Sequence, residues 1–151
     1  MTHVVGRIHS EAVCSFLEAA ALDARSADSL SVLMRAALIG DAAALAALLD
    51  RGASIDARDA VGRTPLMEAV FAGHTEAVAL LLARGADANA TDSAGWTALM
   101  EAASKGRIEI VKTLLDYGAD PTYRNAGGWS ARRATPRSQV EIIHCLKQAG
   151  G

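Results

Sequence analysis

The sequence GRTPLMEAVFAGHTEAVALLLARGADANA, residues 62–90, decides the fold because a close copy follows it. The copy, GWTALMEAASKGRIEIVKTLLDYGADPT, occupies residues 95–122, and a shorter third version, GWSARRA, begins at residue 128. Glycines at 62, 95 and 128 set the interval at 33 residues. A period of this length indicates stacked supersecondary units, each of which buries its apolar face against its neighbours.

Each unit carries the signals of one turn followed by two short helices. Asp59 and Gly62 occupy the first and fourth positions that a type I turn prefers. Thr64 is the predicted N-cap of the first helix, and Pro65 takes the first helical position, where its missing N–H costs nothing. Glycines are expected to end both helices, at Gly73 and Gly85. The predicted inward-facing stripes are Leu66, Ala69 and Val70 on the first helix, and Ala77, Val78, Leu81 and Leu82 on the second.

These residues are where the sequence resembles the ankyrin repeat family. The TPLHxAA signature of that family is matched by TPLMEAV from Thr64 and TALMEAA from Thr97, and its LLxxGADxNA tail by LLARGADANA, residues 81–90. The resemblance covers about residues 28–151. It implies an all-α solenoid of about four helix-turn-helix repeats with terminal capping helices. One departure is that methionine replaces the signature histidine, at Met34, Met67 and Met100, which indicates apolar packing at that position.

The domain boundaries follow from the same register. The expected units are approximately residues 28–59, 60–92, 93–125 and 126–151, the last of them a C-terminal cap repeat. Residues 1–27 are expected to form an N-terminal capping segment, with a helix over 10–25 that begins at Ser10. In the last unit, Arg132 and Arg133 replace the leucine and methionine of the other copies. Its outer helix begins one residue early, which indicates a deletion near Pro136.

Composition excludes several classes of protein. The chain has 151 residues, of which 51% are hydrophobic and only 4% aromatic, so the core must consist of small and aliphatic side chains. No apolar run approaches the ~18 residues of a membrane span, and no signal segment is recognisable at the start. Cys14 and Cys145 are not spaced as a CxxC pair, and free thiols in a reducing cytoplasm are the preferred interpretation. We therefore expect a cytoplasmic protein that binds no membrane.

The charge is distributed unevenly along the chain. The formal net charge is −2, yet residues 122–151 contain five basic side chains and one acidic one. Such an end is suited to an acidic partner or to nucleic acid. The alternative is that an end repeat needs a charged outer surface for solubility. We favour the second interpretation and expect no nucleic-acid partner, because no aromatic residues alternate with these arginines to stack on bases.

Catalytic and metal chemistry are not indicated. The histidines (His3, His9, His74 and His144) occupy scattered repeat positions, and no metal motif or phosphate-binding loop is present. Glu68 and Glu101 align on successive helices, but helices packed ~8–10 Å apart hold them too widely for a retaining hydrolase. An ion pair between Arg35 and Glu68 is the preferred interpretation of that position. We expect neither a metal nor a cofactor.

The resemblance implies that turn tips and inner helices line a concave, partner-binding side. Trp96 and Trp129, the two tryptophans of the chain, follow successive turn glycines, as Arg63 does one unit earlier. Tryptophan and arginine often dominate interface energetics, although such a ring can also serve only to pack over its neighbouring turn. The candidate partner-binding residues are Arg58, Val61, Arg63, Phe71, Thr91, Ser93, Trp96, Ser104, Lys105, Arg124 and Trp129.

The sequence thus predicts a non-enzymatic protein-interaction module, expected to be monomeric, with a protein partner that the sequence does not identify. An inhibitory or regulatory subunit of an enzyme or toxin is the first alternative. An enzyme with an unrecognised site is the alternative from a different class.

Overall fold

The computed structural model describes residues 27–150. This part of the chain contains eight helices arranged as four consecutive pairs and no strand, apart from an isolated bridge between Thr91 and Thr97. The first helices of the pairs, called inner helices here, are α1 (Ala27–Ile39), α3 (Pro65–Ala72), α5 (Ala98–Ser104) and α7 (Ala131–Ala134). The second, outer helices are α2 (Ala42–Asp50), α4 (Thr75–Ala83), α6 (Ile108–Asp116) and α8 (Val140–Gln148). The predicted all-α repeat solenoid is confirmed.

The predicted starts of the inner helices α3, α5 and α7 are confirmed by their N-cap hydrogen bonds. Thr64 Oγ1 accepts the Met67 amide at 3.4 Å, and Thr97 Oγ1 accepts that of Met100 at 3.2 Å. Ser130 caps α7 in the same way. These hydroxyls satisfy amides that have no partner inside the helix. In these three units the cap is therefore encoded by one local residue.

The core is a continuous layer between the inner and outer helices. Inner helices pack against the next inner helices and outer against outer, so every unit is buried by its neighbours. Leu81 and Leu114 have no exposed surface, as the periodicity predicts. Leu49 and Leu115, which match the predicted inward-facing Leu82 at the 33-residue interval, are only half-buried. Alanines at Ala69, Ala77, Ala102 and Ala103 allow the close approach of neighbouring helices.

The last pair is the irregular one, as the sequence predicts. Helix α7 has four residues and ends before Pro136, with Thr135 in extended conformation (φ −73°, ψ 126°). A residue that precedes proline is sterically disfavoured in the helical region, so the helix cannot continue. Helix α8 then begins at Val140, one residue earlier than a step of 33 from Ile108 would place it.

Polar side chains also join neighbouring units on the loop side. Asn89 donates from Nδ2 to the Gly118 carbonyl at 3.1 Å and accepts the Asp120 amide at 2.7 Å. Hydrogen bonds from the hydroxyl and then the amide of Thr122 hold the pKa of the exposed Asp120 carboxyl below its usual value. Arg84 and Asp50 form an ion pair at 2.8 Å between consecutive units. These contacts fix the spacing of the stack away from the turns.

Two sequence predictions concern residues beyond the described range. The capping helix over 10–25 and the state of Cys14 lie outside residues 27–150. Cys145 is half-buried and forms no disulfide. Within the described helices, none is long and apolar enough to cross a membrane.

Candidate functional site

Hairpin turns precede three of the inner helices, α3, α5 and α7. In the turn before α3 the Asp59 carboxylate accepts the amides of Val61 and Arg63, and the Gly62 amide donates to the Asp59 carbonyl. Asp92 makes the equivalent bonds one unit later, to Ala94 and Trp96. Glycine closes each turn in the left-handed region, with φ of 79° at Gly62. The predicted turns are thus confirmed.

Neighbouring turns are hydrogen-bonded to one another. Ser93 donates both its amide (3.0 Å) and its hydroxyl (2.8 Å) to the Val61 carbonyl. Arg58 Nη1 donates to the Thr91 carbonyl at 2.7 Å. Four of the candidate partner-binding residues, Arg58, Val61, Thr91 and Ser93, therefore hold the tips in register. Val61 keeps 54% of its surface exposed at the tip.

The residue after each turn glycine bends back onto its own inner helix. Arg63 Nε pairs with Glu68 Oε1 at 2.6 Å, and Trp96 Nε1 donates to Glu101 Oε2 at 3.0 Å. The expected Arg35–Glu68 ion pair is wrong, since Arg63 occupies the Glu68 carboxylate. Arg63 precedes Glu68 by five residues in the same unit, whereas Arg35 lies a full repeat before Glu68. Turn tips and inner helices therefore form one connected surface, which we call the turn face.

Two tryptophans form the aromatic centre of the turn face. The rings of Trp96 and Trp129 lie 6.0 Å apart between centroids, in an edge-to-face arrangement at 61°. Trp96 is half-buried and packs against the core, whereas Trp129 is 40% exposed. Arg133 covers the Trp129 ring, with Cζ at 4.7 Å from its centroid. The two rings are brought together as the register predicts, but they differ in exposure.

A second aromatic group lies at the far end of the inner helices. Phe71 is 47% exposed and has two cations over its ring, Lys105 Nζ at 4.5 Å and Arg63 Cζ at 5.8 Å from the centroid. The Ser104 hydroxyl, beside Lys105, donates to the Glu101 carbonyl at 2.9 Å. The structure thus joins Arg63, Phe71 and Lys105 into one cluster. Arg124, at the base of the third turn, is exposed.

Three exposed residues of the turn face were missing from the sequence prediction. Leu38 and Ile39 are 42% and 48% exposed at the end of α1, and Leu38 occupies the position of Phe71 one repeat earlier. That 33-residue equivalence was the signal that would have identified Leu38. Arg133 is the third, and its contact with Trp129 depends on the helix α7 geometry.

In residues 27–150 no group of three or more histidine, cysteine, aspartate or glutamate side chains is arranged to hold a metal ion. The carboxylates of the turn face are engaged by neighbours of their own units. What the geometry offers is a rigid surface of aromatic and cationic side chains.

Comparison with known proteins agrees with this geometry. A family model described as "Ankyrin repeats (3 copies)" matches residues 4–92 and 33–125, which together cover most of the chain. The match begins inside the segment predicted to be an N-terminal cap. No curated protein matches the sequence. Ankyrin repeats are generally protein–protein interaction modules and are typically non-enzymatic.

Proposed function

Since the chain belongs to the ankyrin repeat family, we propose that it is a non-enzymatic interaction module that binds a partner protein on its turn face. The observation that carries the proposal is the exposure of Phe71 and Trp129 on that face, each beneath cations. Aromatic side chains with neighbouring cations are suited to an interface, because tryptophan, tyrosine and arginine are enriched among the residues that dominate binding.

The rigidity of the turn face supports the proposal. The tips are held by hydrogen bonds between successive turns, and the side chains behind them by bonds to Glu68 and Glu101. A surface whose side chains are fixed before binding loses less conformational entropy when a partner docks. Within the turn face, the half-buried Trp96 ring packs against the more exposed Trp129 ring and so supports it. We therefore assign Trp129 as an anchor and Trp96 as its support.

We also propose the domain division that the repeat register predicts, with units at residues 28–59, 60–92, 93–125 and 126–151 and a capping segment at 1–27. Its support is that one helix pair begins and ends within each unit, apart from the first residue of α1. For residues 1–26 the proposed division rests on the sequence pattern alone.

Site-specific photo-crosslinking tests the proposed function. A photoreactive amino acid replaces Ala94, an exposed residue of the second turn tip, and in a matched protein it replaces Lys112, an exposed residue of outer helix α6. We expect a discrete crosslinked partner in native lysate from position 94 and none of that size from position 112. Equal capture from both positions, or capture from 112 alone, would contradict binding on the turn face.

A further inference from the structure

We propose that the partner of the turn face is an acidic polypeptide segment that carries apolar anchor side chains. This inference rests on the proposed function and specifies the chemistry of its partner. It is argued from charge, from exposed apolar surface and from the way the rings are covered.

The acidic side chains of the turn face keep their charge but are outnumbered. Asp59 and Asp92 accept turn amides and Glu101 accepts the Trp96 indole N–H, whereas Glu68 is paired with Arg63. A neutral N–H donor leaves a carboxylate negative, so only the charge of Glu68 is balanced by a cation. From residue 58 onward the turns and inner helices carry these four acidic side chains and six basic ones, which are Arg58, Arg63, Lys105, Arg124, Arg132 and Arg133. The excess positive charge of this face therefore comes from the basic side chains other than Arg63.

Those basic side chains have no carboxylate partner in the described chain. Within residues 27–150 the ion pairs are Arg63–Glu68 and Arg84–Asp50. Lys105 and Arg133 are exposed and lie over Phe71 and Trp129, and Arg133 Nη1 also donates to the Gly128 carbonyl at 3.2 Å. The chain as a whole has a formal net charge of −2, so this positive character is local. Carboxylates of a partner are complementary to it.

Apolar side chains lie beside the cations. Leu38 and Phe71 occupy equivalent positions on α1 and α3, two helices that pack directly on each other. Together with Ile39 they leave three large apolar side chains 42–48% exposed in one region. Lys105 borders this region through its contact with Phe71. An occupant with leucine or aromatic side chains between its acidic residues would bury this surface and meet the cations at the same time.

The way the rings are covered favours a peptide over a single-stranded nucleic acid, the other common polyanion. Binding of single strands relies on aromatic ring faces on which bases stack. Here Arg133 covers Trp129, Lys105 covers Phe71, and Trp96 packs against the core. Side chains of a peptide can contact the edges and flanks of these groups without displacing the cations.

The test is a selection from a random peptide library on the immobilised full chain. Parallel selections use Lys105→Glu and the matched control Lys112→Glu, which makes the same charge change on outer helix α6. We expect peptides rich in aspartate, glutamate, leucine and phenylalanine from the wild type and from Lys112→Glu. The selection on Lys105→Glu should not enrich such peptides. A selected peptide resynthesised with glutamine in place of glutamate should bind at least about tenfold more weakly.

The apolar half of the proposal has its own control. Phe71→Ala should weaken binding of the selected peptide severalfold. Val140→Ala, which truncates a side chain 69% exposed on α8, should leave the affinity for this peptide unchanged. Both side chains are exposed, so the fold tolerates either change.

Several results would overturn the inference. They are selection of neutral or basic peptides, no enrichment, equal enrichment on Lys105→Glu, or tighter binding of a short single-stranded oligonucleotide than of the selected peptide. The proposed function is tested separately by crosslinking, and it fails if position 112 captures the partner alone or equally with position 94.

Discussion

Replacement of Trp129 by alanine separates an interface anchor from a packing residue. In the free protein this replacement removes two contacts, the edge-to-face pair with Trp96 and the cation–π contact with Arg133. Such aromatic pairs contribute ~0.5–1.5 kcal/mol and exposed cation–π contacts ~0.5–1 kcal/mol. The expected loss of folding stability is therefore about 1–2.5 kcal/mol. An anchor in an interface typically contributes about 2 kcal/mol or more to binding, which is roughly 30-fold in Kd.

Both quantities can be measured on the same variant. Urea unfolding gives the stability change, and titration with the crosslinked partner gives the change in Kd. Trp96→Ala is the matched comparison: it should destabilise the fold more than Trp129→Ala, because Trp96 also packs against the core and donates to Glu101. If Trp129→Ala destabilises the protein as much as a core truncation and leaves the affinity intact, the ring is a packing residue and the anchor assignment is wrong.

Three further predictions concern the fold. Leu81→Ala, in a fully buried position, should lower the free energy of unfolding by about 2–5 kcal/mol, and Leu80→Ala, half-buried on the same helix, by clearly less in the same urea titration. Gly95→Ala should destabilise the fold more than Gly118→Ala does. Both glycines have positive φ, at 74° and 89°, but the two sites differ in the space around a new Cβ. At Gly95 it would lie 2.9 Å from Asn125 Cβ, whereas at Gly118 it would meet nothing within 4 Å. Deletion of residues 1–27 should lower the melting temperature by exposing the apolar end of the first described unit, and an unchanged Tm would refute the proposed cap.

The fold could be predicted from the sequence because its signals are local. Asp59, Thr64 and Gly73 each act within a few residues of their own position, through a turn bond, a cap bond and a left-handed backbone. The 33-residue register then repeats those local choices, so one correctly interpreted unit predicts the next. The early end of α7 also has a local cause, since Pro136 acts on the residue before it, and the early start of α8 was predictable from the register.

The candidate site was less predictable because it depends on how side chains reach across space. Glu68 has an arginine one repeat before it and another in its own turn, and only the three-dimensional structure selects Arg63. The exposure of Leu38 and the cover that Arg133 gives Trp129 likewise depend on packing between elements. Register placed Trp96 and Trp129 side by side, but it did not distinguish the half-buried ring from the exposed one.

The most direct test of the central claim is backbone hydrogen exchange of the full chain with and without the crosslinked partner. We expect the partner to slow exchange at the turn tips, residues 59–63, 92–96 and 125–129, because docking there suppresses the local opening that breaks the hydrogen bonds of these amides. Exchange in the outer helices Thr75–Ala83 and Ile108–Asp116 should not change. Slowed exchange confined to the outer helices, with the turn tips unaffected, would contradict binding on the turn face.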